Sequence, residues 1–427
     1  MAATQAMTGA AGHREAIAVA PGVHWIGALD PKLRSFDIIL RTEQGTTYNA
    51  YLVRGSDGVA VIDTVKAGLA DEFFARLESV ADYGEIRAIV LNHLEPDHSG
   101  ALPELLRRAP QATLYISARA RAILNGLLKS VEPRPTPPLV TVKTGDSLSL
   151  GDRELRFLHT PFLHWPDTQC TYLVDEEVLF SGDLFGCHVC DGRLFDDEIG
   201  EFWPAIDYYY AHIMRPFARE LRNALAEVQA LDLRVLAPAH GPILRDQPRR
   251  YLEHYQALAK RPPNAPPRLA IFYISSYGNT AQMAEAIAAG AAEDTGVQIS
   301  THDIEAGETA TFVDLIERAD AVAFGSPTIN SDAVKPIWDL LSSLAVIDVK
   351  GKRAAAFGSY GWSGEAVGLI EERLRGLKMQ LPVPGLRIKL IPSGEELAAC
   401  GDFGRQLAAA LVSRSWSSGV AEFAEPG

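Results

Sequence analysis

Ile86-Arg87-Ala88-Ile89-Val90-Leu91-Asn92-His93-Leu94-Glu95-Pro96-Asp97-His98-Ser99-Gly100 decides the fold of the first half of the chain. The apolar run Ile86 to Leu91 has the length and composition of a buried strand. Directly behind it, His93, Glu95, Asp97 and His98 place four ligand-type side chains within six positions. Two imidazoles and two carboxylates at the end of a buried strand are costly to desolvate unless something compensates their charge. A pair of metal ions does so.

Upstream, Gly22 to Ile26, Thr46 to Val53 and Val59 to Ile62 read as short strands, the last closed by Asp63-Thr64. Ala70 to Val80 has helical spacing. Downstream, one pattern recurs three times: an apolar strand, then a ligand-type residue at or past its end. Leu155 to Leu158 leads through His159-Thr160-Pro161-Phe162-Leu163 to His164. Val178 to Gly182 leads to Asp183, and Leu233 to Ala239 leads to His240. Loops beyond strand ends are where a rigid scaffold presents site residues. Four strand ends are therefore expected to converge on one pocket, with Asp183 placed to bridge two metals through its two oxygens. Four histidines with three carboxylates form a harder donor set than a zinc site favours, one that suits iron or manganese.

The chain has 427 residues, which predicts two or three domains. Its formal net charge of -14 argues against a nucleic-acid partner, whose phosphates need an excess of Lys and Arg. No apolar run reaches the roughly 18 residues of a membrane helix. Ala16 to Val23 is too short, and too interrupted at Pro21, for a secretory signal. Four cysteines make no disulfide framework in a chain of this length, so a cytoplasmic location is expected. Cys187 and Cys190 share the spacing of a redox pair or half a zinc site, but no second such pair exists. They read as loop thiols near the metal pocket.

Arg261-Pro262-Pro263-Asn264-Ala265-Pro266-Pro267 marks the domain boundary, because so many prolines favour an extended spacer. The expected organisation is a metal domain over 1–261, a linker over 262–267, a second domain over 268–412 and a frayed tail over 413–427. In the second domain strands and helices alternate. Leu269 to Ile274 is a strand, and Ser275-Ser276-Tyr277-Gly278-Asn279-Thr280 leads from it into a helix carrying Met283, Ile287 and Ala288. Hydroxyls and backbone N–H groups at a helix N-terminus suit a phosphate. Two further strand-and-loop pairs follow. Ala321 to Gly325 runs into Ser326-Pro327-Thr328-Ile329-Asn330, and Ala354 to Gly358 runs into Ser359-Tyr360-Gly361-Trp362-Ser363-Gly364.

The series His93-x-Glu95-x-Asp97-His98, His164, Asp183, His240 resembles the metallo-β-lactamase-like domain of the flavodiiron proteins, or A-type flavoproteins. Zinc hydrolases of that superfamily carry a third histidine where this chain has Glu95, so Glu95 discriminates between them. His164 to Thr168, Phe185 to Asp191, Phe195 to Glu198 and Tyr209 to Ile213 extend the likeness. The three loops after the linker resemble those of flavodoxins, although Ile274 stands where family members often have Asp. The resemblance implies an α/β architecture: a metallo-β-lactamase-like αββα sandwich followed by a flavodoxin-like, doubly wound parallel sheet. It implies one iron on His93, Glu95, His164 and Asp183, and a second on Asp97, His98, Asp183 and His240, with family members differing over His98. Asp167 is placed to orient a ligand imidazole, and His188 and Tyr209 to contact substrate. FMN phosphate is expected on Ser275-Ser276-Tyr277-Gly278-Asn279-Thr280, with the isoalloxazine between Thr328-Ile329-Asn330 and Tyr360-Gly361-Trp362, and with Pro327, Ser359 and Gly364 also among the cofactor-binding residues.

The implied activity is reduction of O2 to water, of NO to N2O, or both. Electrons are expected from a separate donor, a rubredoxin-like protein or a flavin reductase, because the chain carries no rubredoxin-like cysteine cluster. The implied assembly is a head-to-tail homodimer or a dimer of dimers, setting one subunit's FMN against the other's irons. The alternatives are a zinc-dependent hydrolase fused to a flavodoxin-like module, and a redox or gas sensor without turnover.

Overall fold

A computed structural model describes residues 15–36, 40–261, 263–293 and 296–412; the proposed tail over 413–427 lies outside the described residues. The chain divides into two compact units, Met1–Lys260 and Arg261–Gly427.

The first unit holds two sheets. One has seven strands in the order Ile17–Ala20, Val23–Trp25, Tyr51–Gly55, Gly58–Ile62, Ile86–Val90, Thr113–Ser117 and Leu139–Val142. Its first three pairings are antiparallel and its last three parallel. The other has five, in the order Ser147–Ser149, Glu154–His159, Gln169–Leu173, Val178–Gly182 and Val235–Pro238. Pleating sends successive side chains to opposite faces, and here both faces are buried. Ala60, Ile62, Ala88 and Val90 pack against Leu155, Phe157, Phe180 and Ala237 of the facing sheet. Val59, Val61, Ile86 and Ile89 turn the other way, into a core shared with the helical residues Phe73, Leu77, Leu102 and Leu105. Helices thus cover the outer faces of two stacked sheets.

Thr46 to Val53, read as one strand, is two: Thr46–Tyr48 and Tyr51–Gly55. The break falls at Asn49 and Ala50, because Asn49 bonds across to Ala239, Pro238 and Gly241 instead of extending a ladder.

The second unit is a parallel sheet ordered Gln298–Asp303, Arg268–Tyr273, Ala321–Gly325, Arg353–Tyr360, Leu386–Lys389. That order reverses between the second and third strands, which opens a crevice beyond their carboxyl ends. Helices Asn279–Ala292 and Gly394–Val412 cover one face through Met283, Ile287, Phe403 and Leu407. Thr309–Arg318, Lys335–Ser343 and Glu365–Gly376 cover the other through Phe312, Ile316, Ile337, Leu340 and Ile370. Among the described residues no helix is long and apolar enough to cross a membrane.

Candidate metal centre and flavin cradle

The strand Ile86–Val90 delivers His93 into the first unit, and the chain then turns sharply. Pro96 opens a single helical turn, Pro96–Ser99, and its fixed φ suits that position. Glu95 O accepts the His98 and Ser99 amides at 2.9 and 3.0 Å, and Thr64 bonds His98 O through both its amide and its hydroxyl. The turn brings His98 back over His93, with ring centroids 5.0 Å apart. His164 comes from the loop between Glu154–His159 and Gln169–Leu173. There Thr168 Oγ1 donates to Thr160 O at 2.6 Å and accepts from Leu163 N at 3.1 Å. Asp183 directly follows Val178–Gly182, and His240 follows Val235–Pro238.

All seven residues meet. Glu95 Oε2 lies 3.0 Å from His93 Nε2 and 3.2 Å from His164 Nε2. Asp97 Oδ1 lies 3.4 Å from His98 Nε2, and its Oδ2 lies 3.3 Å from His240 Nε2. Asp183 stands between the two groups. Its Oδ1 is 3.3 Å from His98 Nε2 and 3.5 Å from His240 Nε2; its Oδ2 is 3.7 Å from His164 Nε2 and 3.9 Å from His93 Nε2. Asp97 Oδ1 and Oδ2, His98 Nε2, Asp183 Oδ2 and His240 Nε2 are buried without a hydrogen-bond partner. Buried polar atoms are normally paired, so orphans aimed at one another fit cations between them. Three overlapping metal-holding groups emerge: His93-Glu95-His98, His93-His164-Asp183 and Asp97-His98-His240.

The electrostatics agree. Burial pushes Asp183 up, but His98, His164 and His93 outweigh it and hold the carboxyl well below its usual range. Burial likewise opposes ionisation of Asp97, yet His98 and His240 bring it to about 2. Burial pulls His93 down, whereas Asp167 and Glu95 carry it up to about 9. Without ions, these carboxylates draw protons onto His93 and His98. Two cations supply the same positive charge and leave the ring nitrogens free as donors.

The surroundings hold the ligands in place. Asp167 Oδ1 and Oδ2 both lie 3.2 Å from His93 Nδ1, and Oδ2 accepts the Leu94 amide at 2.9 Å. His240 Nδ1 bonds Thr47 O at 2.8 Å. The loop behind His240 is clasped by the segment that breaks the expected strand. Asn49 Nδ2 donates to Pro238 O and Gly241 O at 2.8 and 2.9 Å while Oδ1 accepts Trp25 Nε1 at 2.9 Å, and Thr47 Oγ1 accepts Gly241 N at 2.8 Å. Gly241 is required there: its φ is +80°, and a Cβ would stand 2.6 Å from Cys187 O. The interrupted alternation in Thr46-Thr47-Tyr48-Asn49-Ala50-Tyr51, with Asn among strand formers, was the available signal for this clasp.

His188 and Tyr209 both reach the pocket. Tyr209, on the last turn of Trp203–Tyr209, donates its hydroxyl to Asp183 Oδ1 at 3.2 Å. His188 Nδ1 is 3.0 Å from Thr46 Oγ1, and its buried Nε2 has no partner. Phe36, Tyr209 and His240 surround the His188 ring, and burial, then His240, depress its pKa to about 3. Cys187 and Cys190 are free thiols whose pKa values burial raises, Cys190 to about 11, so neither presents a ready thiolate.

In the second unit the three loops come together beyond the carboxyl ends of the central strands. Gly278, at φ +81°, leads into Asn279–Ala292, and Ser275 Oγ accepts the Ala281 amide at 3.2 Å. Thr280 Oγ1 meets Ser359 Oγ at 2.9 Å, joining the first loop to the third. Thr328 pairs with Tyr360, joining the second loop to the third. Asn330 and Ser331, both at positive φ, turn Thr328–Ile329 back into Asp332–Ala333. Two aromatic side chains stand out from this rim, Tyr277 at 90% and Trp362 at 57% exposure. Uncovered rings beside a polar helix start fit a planar, phosphate-bearing cofactor.

Residues 46–241 match the ODP family of beta-lactamase domains, and residues 271–404 match the flavodoxin family. The chain is 58% identical to the type A flavoprotein of Rhodobacter capsulatus over 413 residues, 96% of this chain and 94% of that protein. It belongs to the type A flavoprotein, or flavodiiron, family. The flavodiiron chain is also 35% identical to a nitric oxide reductase of Moorella thermoacetica, over 93% of this chain and 99% of that protein. Among solved structures, rubredoxin oxygen:oxidoreductase of Desulfovibrio gigas aligns with a TM-score of 0.63 and 31% identity, over 93% of this chain and 98% of that one. The first unit is thus a metallo-β-lactamase-like domain and the second a flavodoxin domain. FMN and a di-iron centre are the cofactors that go with them.

Proposed function

We propose that this flavodiiron protein reduces O2 to water, NO to N2O, or both, at a metal pair reached through FMN. The observation that carries the reading is Glu95. Its carboxylate stands between His93 and His164, where a zinc hydrolase of the superfamily would present a third imidazole. The names of the relatives, an oxygen oxidoreductase and a nitric oxide reductase, supply the two substrates.

One iron is assigned to His93, Glu95, His164 and Asp183, the other to Asp97, His98, Asp183 and His240. The unpartnered Nε2 of His98, close to both Asp97 and Asp183, supports its inclusion. When bound, the irons supply open coordination positions and a change of valence, and FMN supplies electrons. Asp183 spans the two positions, and Asp167 and Thr47 O fix the tautomers of His93 and His240 so that each Nε2 points inward. Tyr209 and His188 face the same pocket, where Tyr209 holds Asp183 through its hydroxyl and His188 Nε2 can hydrogen-bond a polar product. Phe36 and Tyr48 wall off the His240 side with their rings. Glu95, Asp97 and His164 keep 10 to 13% of their side chains exposed, against 3% or less for the other four, so a diatomic enters on their side. Ser275 to Thr280 would hold the FMN phosphate, and Thr328 to Asn330 with Tyr360 to Trp362 would hold its ring, with Pro327, Ser359 and Gly364 also in the cradle.

Electrons come from a separate rubredoxin-like protein or flavin reductase. Two copies pair head to tail, setting one subunit's FMN against the other's irons. Free thiols throughout fit the cytoplasm. Metal and flavin analysis of the purified protein, with sedimentation, tests this. Two irons and one FMN per chain in a dimer are expected. Two zincs with ester or lactam hydrolysis would overturn it.

A further inference from the structure

The two metal positions have matched donors: each takes two imidazoles, one terminal carboxylate and one oxygen of Asp183. Any inequality between them must come from what those donors touch. Two hydrogen bonds break the symmetry, and both act in the same direction; against them the buried Asp63 adds its charge at His98.

The first is the second nitrogen of the imidazoles. His93 Nδ1 faces both oxygens of Asp167, a fully buried carboxylate, at 3.2 Å. His240 Nδ1 faces a neutral acceptor, Thr47 O, at 2.8 Å. An anionic acceptor draws the ring N–H proton harder than a carbonyl does, which makes the opposite nitrogen a stronger donor. The second is the bridge. Asp183 Oδ1, on the side of His98 and His240, accepts the Tyr209 hydroxyl at 3.2 Å, whereas Oδ2, on the side of His93 and His164, has no hydrogen-bond partner. The hydrogen bond withdraws charge from the oxygen that serves the His240 position.

We infer that Asp167 and Tyr209 make the two irons electronically unequal, so that the iron beside His240 is reduced first and the one beside His93 stays ferric in the half-reduced pair. Each step turns one ferric ion ferrous; the flavin hydroquinone gives up the two electrons and releases its two protons to solvent. Asp167 and Tyr209 are positioning residues, acting through His93 and Asp183. The inference rests on the di-iron reading above.

A redox titration of the iron-replete, FMN-loaded protein tests it, following the ferric–ferrous pair by low-temperature EPR and Mössbauer spectroscopy. The parent is expected to show two separate one-electron iron steps. Asp167→Asn should raise the lower step and leave the upper one. Tyr209→Phe should lower the upper step and leave the lower one. Both variants should therefore accumulate less of the half-reduced pair. Steps that move together, stay put or draw further apart would overturn the inference while the parent's two irons leave the di-iron reading intact. If Asp167→Asn fails to hold two irons, Tyr209→Phe, which removes a single hydroxyl, decides alone. A parent that binds zinc removes both.

Discussion

Glu95 shows how one side chain sets the chemistry of an otherwise shared scaffold. Its two oxygens replace an imidazole, adding negative charge and a harder donor beside His93 and His164. Glu95→His should therefore bind zinc at the expense of iron and lose at least about tenfold in gas reduction, as loss of a metal-tuning partner typically costs 10–100-fold. Metal analysis after growth in iron and zinc, with O2 and NO consumption, checks this. A different residue governs pH behaviour. Lys352 is buried, its Nζ donating to Ala319 O and, at 3.3 Å, to Glu317 O, and Arg261 donates to the same Ala319 O at 3.2 Å. Burial, then the charge of Arg261, lowers the Lys352 pKa from 10.5 to about 7. Between these values the unfolded chain binds the extra proton. Stability then rises with pH, by up to about 1.4 kcal/mol per unit, and below pH 7 the cost is constant. Lys352→Met should abolish that slope between pH 7.5 and 9, read by urea unfolding, while Arg261 still satisfies Ala319 O.

At the scale of elements, position is set by segments that touch the metal ligands only indirectly. Thr46–Tyr48 and Asn49 clasp the loop of His240, so the iron on that side depends on a strand far away in sequence. Asn49→Ala leaves Trp25 Nε1 without its acceptor, at about 1–3 kcal/mol for a buried group left unpaired, whereas Pro238 O keeps the Tyr51 hydroxyl and Gly241 O keeps the Thr47 hydroxyl. The expected result is a destabilised first unit that binds closer to one iron than two, measured by thermal unfolding and iron analysis. In the second unit, helices Asn279–Ala292 and Gly394–Val412 meet backbone to backbone. A Cβ on Gly404 would stand 2.0 Å from Ile287 O. Gly404→Ala should force the pair apart and cost about 1–3 kcal/mol in urea unfolding, as overpacking does, with iron content unchanged. The sequence carried a signal for the first device in the Asn among strand formers, and none for the second. The clasp lies inside what reads as one strand, and the helix contact depends on a crossing that periodicity does not fix.

For the whole molecule, what could be read in advance was whatever chemistry forces into a local pattern. Strands ending in His, Asp or Glu, a proline-rich boundary and polar loops opening helices all follow from neighbouring residues, and these pointed to two domains and to the candidate residues of two sites. What could not be read is which long-range partners meet: that the imidazole Asp167 orients is His93, that Tyr209 sits on one oxygen of Asp183, and that Thr47 O stands behind His240. Those contacts depend on the register of strands many residues apart, and they make seven matching side chains into an ordered site. In the proposed head-to-tail dimer, one subunit's FMN and the other's irons form one electron path that ends on a diatomic gas. Rapid mixing of the fully reduced protein with O2 or with NO tests that claim most directly. The flavin absorbance should return to its oxidised form within the same reaction as the irons, delivering two electrons from FMN and one from each iron. Reduced flavin that persists after both gases are added, or irons that bind gas and stay ferrous, would contradict it.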